Sequence, residues 1–297
     1  RLTSLGKHLA KLPVHVRLGK MLVFGALFKC LDKILTIVAC LSCSRSPFAT
    51  SIDDARQNAA HRTFEHPVSD FLTLCNVWEA YSLSAAESSS QARRFCDKYY
   101  LNHTAFVEIN DLRKQFLQLL RQIGFVGKCG ANVSEERDEN SICPRRYNVN
   151  SSKESVVGSV ICAGLYPNLA HAIKTTSGGV PALWHNNERL YFHNSSVNHK
   201  KVDLQSEWVA FFEKFETSRV YISSTSLVKP FAILLFGKSV IVKHLDKKVV
   251  VDDWIELNIA AKTGVMFREL RHEVDSLLKN MIENISGSSE KGDKILD

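Results

Sequence analysis

Apolar residues recur every three to four positions through the first 125 residues, and the spacing then shortens toward alternation. The chain should therefore begin helical and end in strands. Over 17–28, Leu18, Met21, Leu22 and Phe28 keep helical spacing, with Arg17, Lys20 and Lys29 interleaved. Asp32 is placed to cap a second helix over 34–41 that is apolar nearly all round, as a central helix of a helical unit would be. Ser69 offers another N-cap, ahead of a stripe of Phe71, Leu74, Cys75, Trp78 and Tyr81. Ala92, Phe95, Cys96 and Tyr99 make the next stripe. Phe106, Ile109, Leu112, Phe116, Leu119 and Ile123 continue the pattern in a long last helix until Gly124 supplies a left-handed stop.

The stretch 127–152 changes character, with a run of acids from Glu135 to Glu139, Pro144 and few apolar residues. It has the composition of a linker. A short helix is expected around 156–163, followed by segments rich in Val, Ile, Tyr and Phe at 189–192, 207–212, 218–222, 231–236, 240–243 and 254–258. These are enough short strands for a small barrel. Phe267, Leu270, Val274, Leu277 and Met281 line one face of a closing helix, and the tail from Ser286 onward is polar and expected to be loose.

Composition narrows this picture without changing it. A chain of 297 residues, 45% hydrophobic and 23% charged, is ordinary globular material for about two domains. Eight cysteines at irregular spacing do not form a disulfide framework, and no cleavable signal precedes them, so a reducing intracellular compartment is expected, cytoplasmic ahead of nuclear. The most hydrophobic window, 21–43, is broken by Lys29, Asp32 and Lys33, too soon for the ~20 residues of a membrane span. No membrane association is expected.

Charge adds a question. The first fifty residues hold eight Lys/Arg against the single acid Asp32, a local +7, and the remaining 30 basic and 30 acidic residues cancel. Such a field could draw a polyanion or an acidic domain, or it could be a solvated helix face.

Enzymatic signatures are lacking. Gly237-Lys238-Ser239 resembles the end of a phosphate-binding loop, but Ala232 stands where the motif needs glycine, so a turn at a strand end is expected. Cys40 and Cys43 lack a second ligand pair and suit a packed core better than zinc. His272-Glu273 is followed by Ser276 where a metalloprotease helix would carry its second histidine. No catalytic residue and no metal site are assigned.

Several strings in order point to a family. Leu2-Thr3-Ser4-Leu5-Gly6, Leu9-Ala10-Lys11-Leu12-Pro13, Arg17-Leu18-Gly19-Lys20-Met21-Leu22 and Cys30-Leu31-Asp32 resemble the passage from winged helix into ratchet domain in the DEAH/DExH-box RNA helicases. Ser46-Pro47-Phe48, Arg94-Phe95-Cys96, Leu112-Arg113-Lys114-Gln115-Phe116 and Ile123-Gly124 resemble the rest of that ratchet (HA2) domain. Ala163-Gly164-Leu165-Tyr166-Pro167-Asn168, the stretch from Phe192 to Asn198 and Thr217-Ser218-Arg219-Val220-Tyr221-Ile222 are similar to the family's oligonucleotide-binding (OB) barrel. The spacing most resembles the large multidomain cytoplasmic members.

The resemblance implies an α+β multidomain chain, a helical ratchet bundle followed by a small OB-like β-barrel with a C-terminal helix. It divides the sequence into a winged-helix remnant (1–16), ratchet (17–126), flexible linker (127–152), OB-fold (153–260), C-terminal helix (261–285) and disordered tail (286–297). It further implies a fragment. ATP and Mg would bind in two upstream RecA-like domains absent from this chain, which alone should be inactive as a hydrolase.

In this family the accessory half walls a tunnel for single-stranded RNA. A strand holder blind to sequence needs cations and hydroxyl or amide donors for phosphate. Thr217, Ser218 and Arg219 offer two hydroxyls beside a guanidinium, and His193, Ser195 and Ser196 could act alike. Otherwise Arg219 is one solvated side chain and 193–196 only a turn. Asn194 stands where the family usually has proline, and Gly237-Lys238 where it has a glycine pair. Arg113, matching the family pattern, is expected to tie its helix to a neighbour. The competing expectation is an interaction module that docks an activator or ribonucleoprotein partner, with RNA contact incidental.

Overall fold

The computed structural model describes residues 4–10, 12–49, 54–127, 141–175, 178–243 and 248–293. The first half is helical: α1 (Ser4–Leu9), α2 (Val16–Leu27), α3 (Leu31–Ser42), α4 (Asp54–Arg62), α5 (Asp70–Glu87), α6 (Ser89–Tyr99) and α7 (His103–Ile123). Ser69 caps α5 by accepting from the Leu72 amide, and Gly124 ends α7 at φ 101°, a backbone state that disfavours a side chain. Asp32 does not cap α3. The cap position is Cys30, and Asp32 lies in the first turn, where a carboxylate complements the helix dipole.

That carboxylate organises the bundle. Arg113, on α7 and 2% exposed, reaches its Oδ2 at 2.9 Å while the guanidinium lies 4.5 Å from the Trp78 ring centroid. Ser141 donates to Oδ1 at 2.9 Å, and the Asn148 side chain accepts from the Asp32 amide at 2.9 Å while donating to Ser141 at 2.7 Å. Asn150 bonds the carbonyls of Phe28 and Lys29. The second half of the expected linker, 141–152, is therefore fastened to the bundle, because its Asn and Ser side chains satisfy the backbone groups at the α2–α3 corner. Residues 128–140 of that linker lie outside the described residues.

α8 (Glu154–Leu165) crosses from bundle to barrel and is buried against α2, where a Cβ on Gly164 would stand 2.7 Å from that of Met21. The barrel follows: β1 (Leu169–Ile173), β2 (Ala182–His185), β3 (Glu188–Phe192), β4 (Trp208–Glu216) and β5 (Val220–Val228), closed in the order β1-β2-β3-β5-β4 with β3 and β5 parallel. Ala170, Leu183, Leu190, Phe192, Val209 and Ile222 fill its interior.

Two expectations fail beyond the barrel. Residues 231–236 are not a strand but α9 (Pro230–Phe236), since Pro230 presets the first helical φ and a short apolar run has no periodicity of its own. Residues 240–243 and 254–258 do not join the barrel either. β6 (Val240–Lys243), β7 (Lys248–Val251) and β8 (Ile255–Leu257) form a separate three-stranded sheet. α10 (Ala261–Asp293) packs over it and α9, and its backbone stays helical past Ser286, where a loose tail is expected. Among the described residues, no helix is long and apolar enough to cross a membrane.

Helical half and barrel share a hydrogen-bonded seam. Ser69 bridges Ser226, the Leu227 amide donates to the Val68 carbonyl at 2.9 Å, and Arg17 donates to the Phe212 carbonyl at 2.9 Å.

Candidate nucleic-acid interface

β4 and β5 form a long hairpin whose turn is Thr217-Ser218-Arg219, closed by the Thr217 amide donating to the Arg219 carbonyl at 3.0 Å. All three side chains are exposed. β3 runs parallel beside β5 and ends next to this turn, so the following loop brings His193 alongside it, its amide bonded to the Ile222 carbonyl at 2.9 Å. Five of the six expected residues thus cluster on one open end of the barrel.

His193 is held by its own loop. Its Nδ1 lies 2.7 Å from the Ser195 hydroxyl and accepts from the Ser195 amide at 3.3 Å. The ring meets Phe215 edge-on at 5.4 Å and Tyr221 at 6.4 Å. Ser196 departs from its expected role. It is 6% exposed, with its hydroxyl 2.7 Å from that of Thr225, inside the seam. The turn after β3, closed by the Ser196 amide donating to the His193 carbonyl at 3.1 Å, carries it inward beside exposed Ser195.

Residues that the sequence did not single out complete the surface. Tyr191 and Tyr221 are direct cross-strand partners with rings 6.1 Å apart, and Phe215 stacks on Tyr221 at 6.1 Å. The Arg219 guanidinium lies 4.7 Å from the Tyr191 centroid and that of Arg189 lies 5.3 Å from it. Arg189, Tyr191, Arg219 and Tyr221, together with His199 and Lys200, line an open cleft of about 260 Å³. Desolvation depresses the His199 pKa, and nearby Lys200 and His193 depress it further, the effect of a positive local field. The period-2 pattern of 188–192 was the available signal: Leu190 and Phe192 point in, so Arg189 and Tyr191 point out.

Arg17, Lys20 and Lys33 of the basic N-terminal stretch are engaged within the fold. Arg17 bonds the barrel backbone, Lys33 pairs with Glu79 at 3.6 Å, and Lys20 is largely buried with a pKa lowered by desolvation. Gly237-Lys238-Ser239 ends α9 rather than a strand. A Cβ on Gly237 would stand 2.1 Å from Val251 Cγ1, and the Ser239 amide and hydroxyl bond Asp252 at 2.6 and 3.2 Å. That donor set is committed to the fold and does not fit a nucleotide phosphate. Among the described residues no group of three or more His, Cys, Asp or Glu is placed to hold a metal ion. Cys40 is buried and its thiol pKa raised by desolvation, as for a packed apolar side chain.

Comparison with known proteins matches this layout. Residues 15–74 match the helicase associated domain (HA2), ratchet-like; residues 157–241 match the oligonucleotide/oligosaccharide-binding (OB) fold; residues 247–297 match the C-terminal domain in RNA helicases. The chain is a C-terminal segment of the DExH-box RNA helicase family. ATP-dependent RNA helicase dhx29 of Xenopus laevis is 33% identical over 100% of the chain, and the DExH-box ATP-dependent RNA helicase DExH4, chloroplastic, of Arabidopsis thaliana is 34% identical over 95%. The human ATP-dependent DNA/RNA helicase DHX36 is 33% identical over 95%. The chain spans only 22%, 22% and 28% of these three relatives. As a DExH segment it carries ratchet, barrel and C-terminal domain in the family's order, and the cleft of Tyr191 and Arg219 lies on the OB barrel.

Proposed function

We propose that this helicase accessory region holds single-stranded RNA on the open face of its barrel while ATP-driven domains of the whole protein supply movement. The observation that carries the proposal is the pair of guanidiniums of Arg189 and Arg219 flanking the Tyr191 ring beside the Phe215–Tyr221 stack. Aromatic faces accept any base, and guanidiniums and hydroxyls meet phosphates in every sequence, which suits a strand that must slide. The site has no device for reading one base against another, so grip without sequence preference is its natural chemistry. In the whole protein, upstream RecA-like domains would bind ATP and Mg, in the cytoplasm.

A second reading, docking of an activator protein, draws on the exposed Met266, Leu270 and Leu277 of α10. A salt titration of the 297-residue chain with single-stranded RNA separates the two. Phosphate contact predicts log affinity falling with log salt by about 0.7 per neutralised phosphate. A flat response with retained protein binding would favour docking.

A further inference from the structure

The barrel carries a second aromatic hollow, next to the first cleft across Arg189. His171, Trp184, Asn186, Asn187, Trp208 and Trp254 surround an open space of about 480 Å³. Its floor is the Trp208 ring, with His171 stacked on it at 4.5 Å and 13° and Trp254 meeting it at 5.7 Å. Trp184 stands on the rim, 36% exposed.

Trp254 comes from the three-stranded sheet, not from the barrel. The β7–β8 turn that presents it holds Asp252 and Asp253 at φ 50° and 65°, a left-handed pair uncommon for residues with side chains. Asp252 is fixed there by the Tyr166 hydroxyl and the Ser239 amide. Two different sheets thus contribute aromatic walls to one hollow, and the backbone at that seam is held in a conformation of the kind found at functional sites.

The hollow is continuous with the first cleft. Trp208, His171, Trp184 and Arg189 are successive cross-strand partners on β4, β1, β2 and β3. Arg189 sits between the two surfaces, its guanidinium 5.5 Å from the Trp184 centroid and 5.3 Å from that of Tyr191. From Arg189 to His171 is two strand spacings, roughly 10 Å, or about three nucleotides at the ~3.4 Å stacked rise.

From this continuity we infer a second base-stacking subsite. An unpaired nucleobase of the strand held at Arg219 enters the hollow, stacks on Trp184, and meets the Asn186 and Asn187 amides at its edge. Arg189 contacts the phosphates between the two subsites. The Glu207 carboxylate, 3.9 Å from His171, lies on one side of the hollow and disfavours a phosphate there, which leaves a base rather than the backbone as the group that fits. The inference rests on the RNA-holding reading above.

The test uses the 297-residue chain, two uridine oligomers of about four and ten nucleotides, and a ten-mer with abasic residues at one end. Trp184→Ala should weaken the ten-mer by roughly 5- to 150-fold, the usual effect of removing one base stack. It should leave the four-mer and the abasic ten-mer unchanged, and Trp184→Phe should restore most of the loss. Since Trp184 is on the surface, an unchanged thermal midpoint certifies the fold. If Trp184→Ala leaves the ten-mer unaffected while Arg219→Ala weakens it, the subsite is wrong and the first cleft stands. If neither oligomer binds the unaltered chain, both fall. Binding of a proline-rich peptide that depends on Trp184, without an effect on RNA, would also overturn the subsite.

Discussion

The Asp70 carboxylate, at the start of α5, accepts a 2.6 Å hydrogen bond from the backbone amide of Thr225 in β5, and its other oxygen accepts from the Val197 amide at 2.7 Å. One half-buried side chain of the helical half therefore fixes both a barrel strand and the loop that carries His193 and Ser195. The position of the candidate interface is set from outside the barrel.

Asp70→Asn should loosen this clasp, because an amide offers one acceptor oxygen where three donors converge. We expect a loss of about 1–3 kcal/mol at neutral pH, measured by urea unfolding, and weaker single-stranded RNA binding through the displaced loop. Unchanged stability would show that the clasp is incidental.

The same carboxylate makes a pH prediction. Burial raises the Asp70 pKa above its ordinary 3.8, against the lowering effect of its hydrogen bonds from Thr225 and Val197. The folded form then holds the proton more tightly than the unfolded one. Its contribution to stability is full below 3.8 and declines as pH rises through the higher folded value. The stability difference between the unaltered chain and Asp70→Asn should therefore widen as pH falls from neutral toward 4. A difference that narrows instead would mean that the ionised form is the favoured one.

Arg113→Met should destabilise the helical half by about 3–5 kcal/mol, since it leaves the Asp32 carboxylate uncompensated among buried groups. The double variant Arg113→Met with Asp32→Leu should recover part of the loss. A fall in RNA affinity at unchanged stability would contradict the structural role.

Arg219→Ala should weaken single-stranded RNA binding and lower the salt slope by about 0.7, with the thermal midpoint preserved because the side chain is exposed. Arg219→Lys should restore the slope more than the affinity, as a point charge keeps the phosphate contact but loses the planar fork over Tyr191. Ser196→Ala should do the reverse, with little effect on RNA and about 1 kcal/mol lost from the seam.

Cys30, Cys75, Cys96 and Cys162 have thiols pushed up to about 12 by burial. In the folded chain they should resist alkylation at pH 8 and react on denaturation. Rapid labelling of any of them without unfolding would show that its helix opens locally.

Much of the helical half was legible in the sequence, since three/four spacing, a Ser69 cap and a Gly124 stop are local signals. The short apolar run at 231–236 was not, because a stretch without alternation fits strand or helix equally until Pro230 and the packing against α8 and α10 decide it. The six-residue interface was legible only in part. Hydroxyls beside Arg219 announced themselves, but Ser195 and Ser196 differ by one position, and the turn after β3 sent one to solvent and the other to Thr225 in the seam.

The sequence by itself determined the order of units, the family and the two loops that meet on the barrel, because caps, periodicity and short strings are properties of neighbouring residues. Only the tertiary structure decided that Tyr191, Tyr221, Phe215 and Arg189 share one face with those loops, that Asp32 clamps Arg113 and the 141–150 stretch, and that β6, β7 and β8 form a second sheet. Those are contacts between residues far apart in the chain, and barrel closure with cross-strand register is what brings them within reach of one another.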